Sequence, residues 1–464
     1  MTVVRTVPTI LDKALARCRA PFSGAGSRSC ARLFVWQLRF ILISVVIWAF
    51  VAQSASGYSV LTHQTLVDLA WNDSIQPLLL DRYPGTTESA VRVAHAYAYG
   101  GCAIQDVGYY PFGKELFSDL THYVRTGDFI VSLFRNAQNV NEYAFAIGAL
   151  SHYLGDSIGH SAAVNRATAV AFPDLEQKFG PVVTYDESPH GHVRTEFAFD
   201  IDQLVKERIA PSAYLRFIGL RVPLRLLERA FYQTYGLRLR TVVGLERPAI
   251  RGYRSSVRSF IPRFADAEAV IHRNHFPPDL SNEQFRIFES RLSKVEYERR
   301  WMGTRKKPGF VTHILAIAIR ILPKIGPISY LSIKIPTPET QDWYVTSVNR
   351  TIETYRRTLD KLREDPTATL ALANLDLDTG IAVQPGSYRR TDKTYATLVD
   401  KITSTPDARV PGGLWRDLMT YYTDLNAPLT TKKDEKAWKR LLAQLEMLKH
   451  MNRGGGSPTS APAR

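Results

Sequence analysis

The sequence predicts an all-α protein, on three observations. Apolar residues recur at three-four spacing in several long segments, the mark of an amphipathic helix. No series of short alternating strands with turn signals interrupts them. With 464 residues, 45% hydrophobic and 22% charged, the chain has ordinary globular composition, which excludes a largely disordered protein and supports one large or two medium domains.

The first element is not part of that fold. Residues 1–39 carry seven basic side chains and one acid, Asp12. An uncharged apolar run, 40–52, and a small-residue exit, Gln53-Ser-Ala-Ser-Gly57, follow. Basic region, apolar core and small exit make a secretory signal, and the run is short for a span of roughly 20 residues. Cleavage after Gly57 would release a secreted or periplasmic chain that begins at Tyr58. An uncleaved segment would instead anchor it. The basic region is unusually long, as a misassigned start codon would also produce.

Beyond it the sequence reads as a helical core at 58–205, a helical extension at 206–452 packed on or continuous with that core, and a disordered Gly/Ser/Pro-rich tail at 453–464. Helices are expected at 85–105, at 142–164 with Phe145, Ala149, Leu150 and Leu154 on one side, and at 192–206. Residues 210–300 read as helical segments rich in Arg, Phe and Leu. The apolar stretch Phe310–Ile321 reads as a buried helix, or as one arm of a membrane-contacting hairpin, since Pro323 and Pro327 interrupt it. From 339 to 363 a stripe of Val345, Val348, Ile352, Tyr355, Leu359 and Leu362 predicts a long helix. Residues 372–388 read as loop, and 432–450 as a last helix with Trp438, Leu441, Leu445 and Leu448 on one face.

Composition narrows the chemistry. Cysteine occurs only at 18, 30 and 102, which excludes a disulfide scaffold and a cysteine-built zinc finger. Formal net charge is +15. Six of those units sit in residues 1–57, so a cleaved chain would keep nine, enough to suit a phosphate-bearing partner without choosing one. No Gly-x-Ser-x-Gly, P-loop or dinucleotide fingerprint occurs.

Histidine is the informative residue. Seven of eleven lie between 63 and 192. In His152-Tyr-Leu-Gly-Asp156-Ser-Ile-Gly-His160, three ligand-type side chains fall at i, i+4 and i+8, within about 80° of arc on one helix face. His192-Val-Arg-Thr-Glu196 repeats the step. A single pair of this kind is ordinary surface chemistry. Two pairs, one extended by a third ligand, favour a metal bound by imidazole and carboxylate.

In chain order, Tyr58-Ser-Val-Leu-Thr-His63, Gln105-Asp106, Leu120-Thr-His122, His152-Tyr-Leu-Gly-Asp156, His160 and His192-x-x-x-Glu196 resemble the zinc-dependent phospholipase C family, whose fold is shared with fungal single-strand-specific zinc nucleases. The resemblance covers about 140 residues and leaves 200–450 unaddressed. It implies up to three zinc ions. Asp106, His122, His152 and Asp156 would hold one. Asp156 would bridge to a second, held also by His63 and by the free amine and carbonyl of Tyr58. His160, His192 and Glu196 would hold the third. The family usually has Trp at the position of Tyr58, a longer step with Gln-Pro between Asp156 and His160, and Pro before Asp106. The shortened step puts the third zinc in doubt. The altered context makes Asp119 a rival of Asp106. His95 and His190 have no role in the pattern and read as structural or supporting residues.

The activity so implied is hydrolysis of a phosphoric ester, with Asp106 and Asp156 catalytic and a phospholipid head group as the leading substrate. A nuclease on the same scaffold, and a non-catalytic protein that keeps metal for stability, are the alternatives. A basic peripheral membrane contact through Phe310–Leu322 and Arg305-Lys-Lys307 is the further expectation for partners.

Overall fold

A computed structural model describes residues 59–295, 309–321, 332–365, 367, 370–406, 408 and 410–451. The expected export signal, Tyr58, Arg305-Lys-Lys307, Leu322 and the expected disordered tail lie outside the described residues.

The helices that position the site are α1 (Val60–Ala70), α2 (Glu88–Gly101), α3 (Glu115–Tyr123), α4 (Val140–Gly159), α5 (Pro189–Val205), α6 (Phe310–Ile321), α7 (Pro338–Glu364), α8 (Arg389–Ser404) and α9 (Glu435–Met451). Shorter helices fill the intervals. Among the described residues there is no β-sheet, only one antiparallel bridge between Leu375 and Ala382. The protein is all-α, as the periodicity predicts.

The sequence marks the helix ends. The Asn139 side chain accepts from the N–H groups of Asn141 and Glu142 and starts α4. Ser188 caps α5, with Pro189 in its first turn. Thr337 and Thr340 form a reciprocal capping box ahead of α7.

Central packing rests on small residues. α2 crosses α4 so closely that a Cβ on Gly148 would lie 2.0 Å from the Ala98 carbonyl, and one on Gly101 would lie 2.1 Å from the Phe145 carbonyl. Only glycine permits that backbone approach. It brings the carbonyl of Cys102, the residue after α2, against α4. On the other side α7 lays its predicted stripe on the core, with all six residues buried. Burial of each such side chain is worth about 1.5–3 kcal/mol relative to exposure. The Tyr355 hydroxyl also donates to the Ile147 carbonyl of α4 at 2.9 Å.

One hydrophobic core runs from Val60 to Leu448. It crosses the position 205/206 without a break, and the described residues all fall within one compact unit, 51–464. α6 differs from the buried helix expected of its apolar sequence. Ala316 and Ile319 pack on Phe264 and Ala267 in a small satellite core, while Ile317 is 49% exposed. A helix with one covered side leaves apolar residues in solvent. No described helix is long and apolar enough to cross a membrane.

Candidate metal centre

Five elements deliver the predicted side chains to one region. His63 comes from the first turn of α1, Asp106 from the 3₁₀ turn Gln105–Tyr109 and His122 from the end of α3. His152 and Asp156 lie on successive turns of α4. His160 opens a π-helical turn, His160–Val164, that continues α4. His192 and Glu196 lie on successive turns of α5. All eight are at most 2% exposed. Three groups of ligand atoms can each hold a metal ion: His63, His152 and Asp156; Asp106, His122 and His152; and His160, His192 and Glu196.

The distances within the first cluster are those of a coordination shell. His122 Nε2 lies 3.2 Å from His152 Nε2, 3.3 Å from Asp156 Oδ2 and 3.4 Å from Asp106 Oδ1. His152 Nε2 lies 3.0 Å from Asp156 Oδ2 and 3.9 Å from Asp106 Oδ1. Zinc–ligand bonds of about 2.0–2.2 Å in a tetrahedron separate neighbouring ligand atoms by about 3.3 Å. Four of the six edges of such a tetrahedron are therefore near the required length, and a fifth, at 3.9 Å, is longer. The other oxygen of Asp156, Oδ1, points to His63 Nε2 at 3.2 Å. Asp156 thus divides its carboxylate between the two histidine sets.

Hydrogen bonds fix which ring nitrogen faces inward. His122 Nδ1 lies 2.7 Å from the Ser118 carbonyl, and His152 Nδ1 lies 3.1 Å from the Cys102 carbonyl delivered by the glycine crossing. A carbonyl only accepts, so each Nδ1 carries hydrogen and each neutral ring turns an Nε2 lone pair inward. Two such lone pairs, 3.2 Å apart and beside carboxylates, repel unless a cation lies between them. Without metal, a proton takes that part. Burial pulls the His122 pKa down, yet hydrogen bonds and charge from Asp106 and Asp156 hold it up at about 10. Burial would raise Asp156, but His152, His160 and His63 hold it well below the usual carboxylate range. His63 is pushed down by burial and by His152. Asp106 Oδ1 is buried and makes no hydrogen bond among the described residues. These donors fit zinc.

The His160 group is a set of three ligands. Glu196 Oε1 lies 2.7 Å from His192 Nε2 and 3.5 Å from His160 Nε2, and the two rings meet edge to face at 4.9 Å. The four-residue step from Asp156 still brings His160 inward. A wider π turn starts at that residue, a distortion often found at functional sites.

Asp119 is excluded as the alternative to Asp106. Arg390 of α8 binds its carboxylate at 2.9 Å and 3.0 Å, and it belongs to none of the three metal-competent groups. His95 stacks on Trp71 and contacts Asp68 at 3.1 Å, and Tyr99 donates to the same carboxylate. It is a structural residue. His190 packs beside Arg194 and belongs to no metal-competent group.

Two acids escaped the sequence reading. Asp200 accepts hydrogen bonds at 3.0 Å from the N–H groups of Leu61 and Thr62, and at 2.7 Å from the Thr62 hydroxyl. It pins the first turn of α1, and with it His63. Its signal was present, because Asp200 extends His192 and Glu196 by one more helical turn. Asp378 lies in the loop before α8, beside His160. No spacing connects it to the histidines.

A buried carboxylate–imidazole cluster in an all-α fold defines a metal-binding helical domain. Residues 62–243 match the family described as zinc dependent phospholipase C, which supports a zinc-binding hydrolase domain in that segment. The match contains all eight described site residues and ends well before Asp378. No curated protein and no solved structure matches the chain significantly.

Proposed function

We propose that the protein is an exported zinc-dependent phosphoric-ester hydrolase that cleaves phospholipid head groups in the manner of a phospholipase C. The near-tetrahedral spacing of Asp106, His122, His152 and Asp156 carries this reading. It is supported by the family match, which covers every one of these residues.

Asp106, His122, His152 and Asp156 would hold one ion. Asp156, through its second oxygen, and His63 would hold a neighbour, together with the main chain of Tyr58 once cleavage frees its amine. His160, His192 and Glu196 would hold a third. Zinc supplies Lewis acidity there, which acidifies water and neutralises charge on a phosphoryl oxygen. The chain supplies the rest. The carbonyls of Ser118 and Cys102 keep both imidazoles turned inward. Asp156 keeps the two neighbouring sites in register. Asp106, through the carboxylate oxygen not committed to the ion, would orient the attacking water and accept its proton. A basic chain favours an anionic phosphate surface.

The test is a side-by-side assay of zinc-loaded protein on phosphatidylcholine and single-stranded DNA, with His152→Ala as control. Release of phosphocholine by wild type and not by the variant is the expected result. Cleavage of DNA alone would make the protein a nuclease. Inactivity on both substrates would leave a metal-stabilised, non-catalytic protein.

A further inference from the structure

The His160 group leans on a segment that the family match does not reach. His160 Nδ1, the nitrogen away from His192 and Glu196, faces the Leu377 carbonyl at 3.0 Å and Asp378 Oδ1 at 3.3 Å. Asp378 is fully buried. Its Oδ2 accepts from the Tyr123 hydroxyl at 3.1 Å and the Tyr388 hydroxyl at 2.5 Å. Its carbonyl accepts from Asn165 Nδ2 at 2.8 Å, and its N–H donates to Asp376 Oδ1 at 3.0 Å. Every polar group of the residue except Oδ1 is hydrogen-bonded, and Oδ1 is directed at the ring.

The loop around it is held as firmly. The Leu377 N–H donates to the His122 carbonyl at 3.0 Å, so one dipeptide touches both the His122 and the His160 helices. The Thr126 hydroxyl donates to the Leu375 carbonyl at 2.8 Å. Gly380 takes a positive φ of 71° against α4, where a Cβ would lie 2.3 Å from the Ser157 carbonyl.

We infer that Asp378 is a positioning residue of the third zinc site, locking the His160 ring with Nε2 toward Glu196 and His192. The inference rests on the zinc reading above. A metal-binding histidine whose other nitrogen donates to a carbonyl or carboxylate is fixed in orientation and made a stronger ligand; here the Leu377 carbonyl takes the hydrogen bond at 3.0 Å and Asp378 Oδ1 places negative charge 3.3 Å from the same nitrogen. His160 opens a π turn and receives its Nδ1 contacts from outside its own helix. The loop 374–380 supplies them from far along the sequence.

Zinc titration of chelator-stripped full-length protein by calorimetry, paired with melting curves with and without zinc, tests this. His192→Ala identifies the ion that belongs to the group. Asp378→Asn should weaken that same ion by about 10–100-fold and leave the other sites unchanged. Its melting temperature should lose the part of the zinc-dependent increment that His192→Ala also loses. Tyr388→Phe, a milder change, should weaken the same ion less. Asn165→Ala, which releases the loop but keeps the carboxylate, should lower the zinc-free melting temperature without altering affinity for that ion. Wild-type affinity in both Asp378→Asn and Tyr388→Phe would overturn the inference, as would equal weakening of all sites. Wild-type protein that binds no zinc would instead overturn the metal reading itself.

Discussion

The two halves of the metal region are built differently. The cluster of His63, Asp106, His122, His152 and Asp156 is closed, with edges of 3.0–3.9 Å around His122 and His152 and an Nδ1–carbonyl contact behind each of those rings. Those carbonyls come from Ser118 and Cys102, inside the family match. The His160 group has three ligands with edges of 2.7 and 3.5 Å to Glu196, sits on a π turn, and draws its support from Leu377 and Asp378, outside that match. The difference teaches that neighbouring ligand sets of one fold can take their orienting contacts from nearby or from distant chain. Ligand identity follows the local helix, whereas ligand orientation follows whatever packs on the far nitrogen.

The largest effect should come from breaking the closed cluster. Asp156→Asn or His152→Ala should lower phosphoric-ester hydrolysis by roughly 10³-fold or more, because either change disrupts neighbouring ligand sets together. Steady-state kinetics with metal analysis on the same samples measures this. His192→Ala should cost one ion and less rate. Equal losses from both variants would erase the contrast between the halves.

Next is the frame of the His160 half. Gly380→Ala places a side chain at a positive φ and against the Ser157 carbonyl, which should cost about 2–3 kcal/mol of stability. A chemical-denaturation midpoint reads it, and the zinc of the His160 group should be lost with it. An unchanged midpoint would show that the loop yields freely.

The pH response separates the metal-free and loaded states. His122, held at about 10 against 6.5 when unfolded, has a raised folded pKa. Its contribution to metal-free stability is complete below about pH 6.5 and is lost as pH rises toward 10. Zinc competes with the same protons, so loaded protein should lose stability as pH falls. Melting curves from pH 5 to 9 should therefore slope in opposite directions. Parallel slopes would contradict the view that a proton replaces the metal.

The smallest effect belongs to Asp119. Burial pushes its pKa to about 6 against the pull of Arg390. Asp119→Asn should leave zinc content unchanged and activity within about threefold, since a partly exposed ion pair contributes little. Loss of zinc in this variant would revive Asp119 as a ligand.

Much of this was legible in the sequence because helices turn spacing into direction. The steps His152, Asp156, His160 and His192, Glu196 set which side chains share a face, and the stripe of α7 set which face is buried. Composition excluded thiolate ligands. The remainder was not local. Asp119 stood as a rival of Asp106, and the sequence could not show that Arg390, 271 positions away, pairs with it. Asp378 sits in a turn whose sequence describes only a turn. The carbonyl behind His152 depends on Gly101 and Gly148, whose crossing no periodicity encodes. Apolar content alone also overstated the burial of α6.

The central claim is that this fold binds zinc through histidine and carboxylate. Elemental analysis of wild-type protein, purified without chelator or added metal, tests it most directly, beside Asp156→Asn treated identically. The account predicts two to three zinc ions per chain in wild type and a loss of more than one in the variant. A wild-type chain with no zinc, or a variant with the full complement, would contradict it.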